Sequence, residues 1–127
     1  MDVELRAINK NFGKVKAVND LSLEIKQGEF LVLLGPSGCG KTTALRMIAG
    51  LETIEQGELF IEGQLMNEVL PKYRDVAMVF QSYALYPHMT VEENVGYPLK
   101  MRKIKGQERK DSILQACRQV QINDLLE

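Results

Sequence analysis

Apolar and polar positions alternate along two stretches near the start of the chain. From Val3 to Ile8 the alternation is weak, with Val3, Leu5 and Ala7 set against Glu4, Arg6 and Ile8; from Leu21 to Ile25 it is clean. A period of two predicts strands with one buried face. Asn11-Phe12-Gly13-Lys14 between them reads as a turn, and Gln27-Gly28 closes the second strand. Two later segments are apolar without alternation: Glu29 to Leu34 (EFLVLL) and Asp75 to Phe80 (DVAMVF). That pattern predicts strands covered on both faces, as in a parallel sheet. Gly57 to Glu62 alternates and predicts another strand. Ala44 to Ala49 joins good helix formers to a stop at Gly50. Thr90-Val91-Glu92-Glu93 fits a capping box opening a helix. Between Gln107 and Val120, the positions Ile113, Cys117 and Val120 form one helical stripe. No internal repeat or Pro/Ser-rich linker breaks the pattern.

Composition narrows the class. The chain has 127 residues, 45% hydrophobic and 26% charged, enough for one domain of ordinary size with a core. Sixteen basic against seventeen acidic residues leave a net charge of -1, which argues against a nucleic-acid surface built on bulk charge. Cys39 and Cys117 stand far apart and form no CxxC, a pattern suited to a reducing compartment. The longest apolar runs, such as Phe30 to Leu34 and Val76 to Phe80, fall short of the ~18 residues of a spanning helix. Asp2 and Glu4 do not suit a secretory leader. The expectation is a soluble, cytoplasmic protein.

The segment with the clearest chemistry follows the first fully apolar run. Gly35-Pro36-Ser37-Gly38-Cys39-Gly40-Lys41-Thr42 matches G-x-x-x-x-G-K-[ST] between an expected strand and an expected helix, with Thr43 continuing it. Gly35, Gly38 and Gly40 let the backbone wrap a phosphate group and turn amide N–H groups toward it, while the helix supplies its positive end. Lys41 adds a point charge for β- and γ-phosphates, and the Thr42 hydroxyl is a hard oxygen ligand for Mg²⁺. Ser37 and Cys39 fill free positions of the loop. A thiol reagent is expected to label Cys39, and Mg-ATP to protect it.

Many enzymes use such a loop, so the remaining residues must discriminate. The DxxG and NKxD of GTPases are absent. Present instead are Leu45-Arg46-Met47-Ile48-Ala49-Gly50-Leu51-Glu52 and Val79-Phe80-Gln81-Ser82-Tyr83-Ala84-Leu85-Tyr86-Pro87-His88-Met89-Thr90-Val91-Glu92-Glu93-Asn94. With these the whole chain from Val3 to Glu127 resembles the nucleotide-binding subunit of an ATP-binding-cassette (ABC) transporter, of the maltose and multiple-sugar importer type.

The resemblance implies an α/β fold, the P-loop NTPase core of ABC type: an N-terminal antiparallel β subdomain, the phosphate-loop strand and helix, and the start of a helical subdomain. Residues 1–127 would form the N-terminal half of the nucleotide-binding domain, about 1–88 as the β and core portion and about 89–127 as the start of the helical subdomain. It implies ATP and Mg²⁺ as cofactors, held by Gly35 and Ser37 to Thr43. It makes Phe12 the aromatic that stacks on adenine, beside Val18. A simple turn anchor is the other role open to Phe12. Gln81 becomes the Q-loop glutamine that reaches Mg²⁺ and the attacking water, so that Lys41 and Gln81 are the catalytic candidates and Thr42 and Gln81 the metal ligands. Ser82 to Thr90 would receive a coupling helix from a permease subunit. Tyr83, Leu85, Tyr86, Pro87 and Met89 give that stretch an apolar character, although packing of some of them on the core remains the alternative. His88 is not the family's switch histidine.

The implied activity is ATP-driven solute uptake, of sugar in the first instance, by a homodimer of subunits on the inner face of the membrane. The family's signature motif, Walker B strand, D-loop and switch histidine would all lie past Glu127. The chain alone is therefore expected to hold nucleotide without hydrolysing it, with unpaired sheet edges and exposed apolar surface that favour self-association. Alternatives are a non-catalytic nucleotide- or permease-binding module, or an unrelated P-loop kinase or ATPase.

Overall fold

A long β-hairpin opens the chain in the computed structural model, which describes residues 1–82 and 85–126. Strands β1 (Val3–Phe12) and β2 (Val15–Ile25) pair antiparallel through a two-residue turn at Gly13-Lys14, and Gly13 takes the left-handed φ of 59° that the turn requires. β3 (Gln56–Ile61) pairs with the other edge of β1, and the short β4 (Gln64–Leu65) closes an antiparallel sheet in the order β2-β1-β3-β4.

The weak alternation of β1 has a structural cause. Val3, Leu5, Ile8 and Lys10 are buried, so the inward phase slips by one residue between Leu5 and Ile8. The slip is a bulge at Ala7, whose φ is 49° and whose N–H donates to Ser22 Oγ at 2.9 Å. Ala7 therefore leaves the face shared by Val3 and Leu5, and Ile8 takes its place. Gly57 of β3 lies against this bulge; a Cβ there would sit 2.5 Å from the carbonyl oxygens of Arg6 and Ala7.

Helix α1 (Lys41–Ile48) packs its Met47 into the core formed by Val3, Leu5, Ile8, Val18, Leu59, Ile61 and Met66. It ends where the sequence predicts. Gly50, at φ 75°, donates to Met47 O at 3.1 Å, and Leu51 N–H donates to Arg46 O at 2.8 Å, which is the Schellman closure. Arg74, buried to 6% exposure, completes the end. Its guanidinium donates to the carbonyls of Met47 (2.7 Å), Ile48 (2.9 Å), Met66 (2.6 Å) and Val69 (2.8 Å). Burial pushes its pKa down, and the four oxygens replace the water it gave up.

The two apolar segments expected as doubly covered strands are not strands. Residues 29–36 and 75–80 carry no ladder, and each covers one face only. Leu31 and Leu33 are half-buried while Phe30, Val32 and Leu34 are 90%, 56% and 87% exposed; Val76 and Met78 are half-buried while Val79 is 95% exposed. A strand persists where neighbours take its N–H and C=O groups. Here the hydrophobic effect seats one row of side chains, and among the described residues no neighbouring strand forms a ladder with the backbone. All the pairing observed in the sheet is antiparallel.

The chain divides into two compact units, Met1–Met78 and Val79–Glu127. In the second, helix α2 (Val91–Met101) starts with the expected capping box: Glu93 N–H donates to Thr90 Oγ1 at 3.2 Å, and Thr90 N–H to Glu93 Oε2 at 2.9 Å. Helix α3 (Gly106–Gln119) buries Ile113 and Cys117. Val120, expected on the same stripe, stands just past the helix end and is 64% exposed. The two helices meet at Gly96, where a Cβ would come within 2.7 Å of Ile113 Cδ1. Among the described residues, no helix is long and apolar enough to cross a membrane.

Candidate functional site

The loop from Gly35 to Gly40 joins the one-sided apolar segment to α1. Gly35, Gly38 and Gly40 all have positive φ, at 153°, 83° and 91°. Gly40 has a second reason to lack a side chain: a Cβ there would collide with the Ala17 carbonyl oxygen and touch Val18 Cγ2. The loop is thus seated against β2, and α1 begins at the point of contact. Helical geometry leaves the N–H groups of Lys41, Thr42 and Thr43 without an intrahelical acceptor, and no acidic residue in the first turn neutralises that end.

Lys41 folds back over the loop. Its Nζ donates to Gly35 O at 2.8 Å and Pro36 O at 2.6 Å, and lies 3.3 Å from Cys39 Sγ. The ammonium is therefore held against the carbonyls of the loop. Cys39 is exposed, and Thr42 is exposed beside it.

A cleft of about 410 Å³ opens at this point, lined among others by Lys16, Val18, Leu34, Cys39, Gly40 and Lys41. That volume falls in the range of small-molecule sites. Of the residues singled out by sequence, Val18, Cys39, Gly40 and Lys41 meet in this cleft, and among the described residues no carboxylate lines it. Phe12 does not line it. It stands at the end of β1, paired across the hairpin with Val15 beside the cleft-lining Lys16, and its ring is 49% exposed. Gln81 lies exposed in the turn early in the second unit.

Beyond Gln81, Tyr83 and Ala84 of the expected partner surface lie outside the described residues. Leu85 and Tyr86 are 69% and 42% exposed, so neither is packed away into a core. The Tyr86 ring rests 4.9 Å from that of Tyr97 on α2 and 6.1 Å from that of His88. Asn94 holds this loop. It accepts from Tyr86 N–H at 2.9 Å and donates to the carbonyls of Tyr86, Met89 and Thr90. An Asn four residues past an N-cap is the one signal that could have marked it.

Residues 18–127 match the ABC transporter family. The chain belongs to that family. It is 49% identical over 125 residues to the sn-glycerol-3-phosphate import ATP-binding protein UgpC 1 of Rhizobium johnstonii, covering 98% of this chain and 34% of that protein. It is 52% identical over 130 residues to the trehalose/maltose import ATP-binding protein MalK of Thermococcus litoralis, covering 98% of this chain and 35% of that protein. The chain thus spans about a third of the length of these curated relatives. Among solved structures it is similar to the dimeric post-hydrolysis state of the ATP-binding cassette MJ0796 bound to ADP and Pi. The TM-score is 0.81 at 31% identity, over 91% of this chain and 56% of that one. Family and fold therefore agree with the ABC cassette expected from the loop and the SYALYPH segment.

Among the described residues, no three His, Cys, Asp or Glu side chains converge to hold a metal ion. Thr42 offers a hydroxyl, which fits an ion that arrives already bound to phosphate oxygens.

Proposed function

We propose that this chain is the nucleotide-gripping part of an ABC importer's ATP-binding subunit. The observation that carries the proposal is the seating of Lys41 against the carbonyls of the 35–40 loop, beside a cleft walled by Val18. In this reading residues 1–88 form the β and core portion and 89–127 the start of the helical subdomain. Gly35 and Ser37 to Thr43 hold the phosphates of ATP: their amides and the positive end of α1 bind the oxygens, and Lys41 exchanges its two carbonyl contacts for the β- and γ-phosphates. Thr42, through its hydroxyl, and Gln81 would hold a Mg²⁺ ion that arrives with the nucleotide. When bound it neutralises charge on the phosphates. Phe12 stacks on adenine and Val18 packs against it.

In the intact protein, ATP binding and hydrolysis would drive solute uptake by a homodimer on the inner face of the membrane, with residues 82–90 docking a permease subunit. Relatives of nearly equal identity are named for glycerol phosphate and for sugars. The nucleotide site is thus compatible with different cargoes, sugar among them.

The chain by itself would bind without turnover. Among the described residues, no carboxylate lines the cleft to act as a general base toward water at a γ-phosphate. The test is calorimetric titration with Mg-ATP together with a phosphate-release assay. Binding that Lys41→Ala abolishes, with no phosphate released, is the expected result. Turnover by the pure chain that Lys41→Ala abolishes would refute the non-hydrolytic assignment, and binding unchanged by Lys41→Ala would refute the site.

A further inference from the structure

Lys10 is the least expected charge in the fold. It lies on β1 two residues before Phe12, on the strand face turned to the core, and is only 6% exposed. A buried ammonium must be partnered. Its Nζ is 2.8 Å from Glu52 Oε1, donates to Thr53 Oγ1 at 2.9 Å, and lies 3.8 Å from Glu55 Oε1. These partners all come from the segment that follows α1. The same Nζ stands 5.3 Å from the centroid of the Phe12 ring, within range of a cation–π contact. Glu55 also accepts from the N–H and the side-chain amide of Asn11, at 3.1 and 2.8 Å.

We propose that Lys10 is a positioning residue for nucleotide binding: it fixes the Phe12 ring and ties it, through Glu52, to the helix that carries the phosphate loop. This rests on the reading of Phe12 as the adenine platform. Two independent links then join the base side of the site to the phosphate side. One is the approach of Gly40 to Ala17 of β2, next to Val18, which pairs with Lys10 itself. The other is the Lys10–Glu52 ion pair across the far end of α1. Phe12 is half exposed and would otherwise be free to change rotamer at the tip of a hairpin; an ammonium already anchored to two oxygens restrains it. The phosphate loop has its own contacts through Lys41, so loss of Lys10 acts on the base and spares the phosphates.

The test compares a ligand that has a base with one that lacks it. Mg-ATP and magnesium tripolyphosphate are titrated into the wild-type chain and into Lys10→Met, Lys10→Arg, Phe12→Ala and the Lys10→Met/Phe12→Ala double variant. Lys10→Met is expected to weaken ATP about five- to tenfold, the scale of one partly desolvated cation–π contact, with tripolyphosphate affinity unchanged. Lys10→Arg should restore most of the loss, and the double variant should bind ATP no worse than Phe12→Ala. A loss shared equally by both ligands, no loss for either, or a double variant whose losses add would each overturn the proposal. Should Phe12→Ala leave ATP binding intact while Lys41→Ala abolishes it, the base platform fails and the role of Lys10 fails with it. Weakening by Phe12→Ala but not by Lys10→Met overturns Lys10 alone. If Lys10→Met does not fold by circular dichroism, Glu52→Gln loosens the anchor and keeps the cation; an unchanged preference for ATP over tripolyphosphate then overturns the proposal.

Discussion

Arg74 shows how much one side chain can organise and how little of that its sequence neighbourhood reveals. It follows a proline-started turn and precedes an apolar run, a context that suggests a solvated arginine. Its five N–H donors form a rigid fork, however, and four carbonyls from two segments converge on it, two from the last turn of α1 and two from the turn at Met66–Val69. The two from α1 are among the acceptors that a helix end leaves over. Arg74→Met preserves bulk but removes the side-chain donors from all four carbonyls, of which Met47 O keeps the Gly50 N–H and Met66 O the Val69 N–H, so a loss of ~2–4 kcal/mol is expected, read as a lower urea midpoint. Arg74→Lys should recover only part of it, because one ammonium cannot reach all four oxygens. A midpoint within error of wild type for Arg74→Met would show that water reaches the end of α1. Gly50 belongs to the same arrangement, since a Cβ there would fall 2.8 Å from the Arg74 Nε.

At the scale of elements, those fixed by local chemistry were legible: the 13–14 turn, the end of α1 at Gly50, and the Thr90–Glu93 box. The end of α2 was not, because its left-handed closing residue is Lys103 rather than glycine; α3, closed at Gln121, stops one residue before the Val120 that the stripe reached. The tie between β1 and the segment after α1 was also invisible, since Lys10 and Glu52 are far apart in sequence and each looks like a surface charge. Its electrostatics make it measurable. The hydrogen bond from Lys10 holds the Glu52 carboxyl below its ordinary pKa, with the Thr53 amide adding to the effect and burial opposing it. A carboxyl with a folded pKa below its unfolded one stabilises the fold above the unfolded pKa, and that contribution is lost as pH falls through the folded value. Unfolding midpoints measured from neutral pH down to about pH 3 should therefore fall more steeply for wild type than for Glu52→Gln. Glu52→Gln should begin lower at neutral pH, by about 1–2 kcal/mol, because it weakens the partner of a buried cation. Parallel pH profiles would mean that the pair contributes nothing to stability.

For the molecule as a whole, the family and the glycine-rich turn into α1 were legible because a glycine-rich loop between an apolar run and a helix carries its own backbone signal. Strand pairing in the two apolar runs was not, because a run of Leu and Val records how much cover a segment can take and not what provides it. Phe30, Val32 and Leu34 point outward from a segment whose Leu31 and Leu33 are seated, and the backbone between them has no ladder among the described residues. Apolar side chains in water beside unpaired N–H and C=O groups form the kind of edge that a second chain can extend. The chain is expected to self-associate as concentration rises, measured by sedimentation velocity. Because the driving force is apolar burial, added salt should not dissociate the assemblies. Val32→Lys with Leu34→Lys places charges on the outward row and leaves Leu31 and Leu33 in place, so it should shift the distribution toward monomer without lowering the thermal midpoint. A wild-type chain that stays monomeric across the range, or a charged variant that associates as strongly, would show that this face does not drive association.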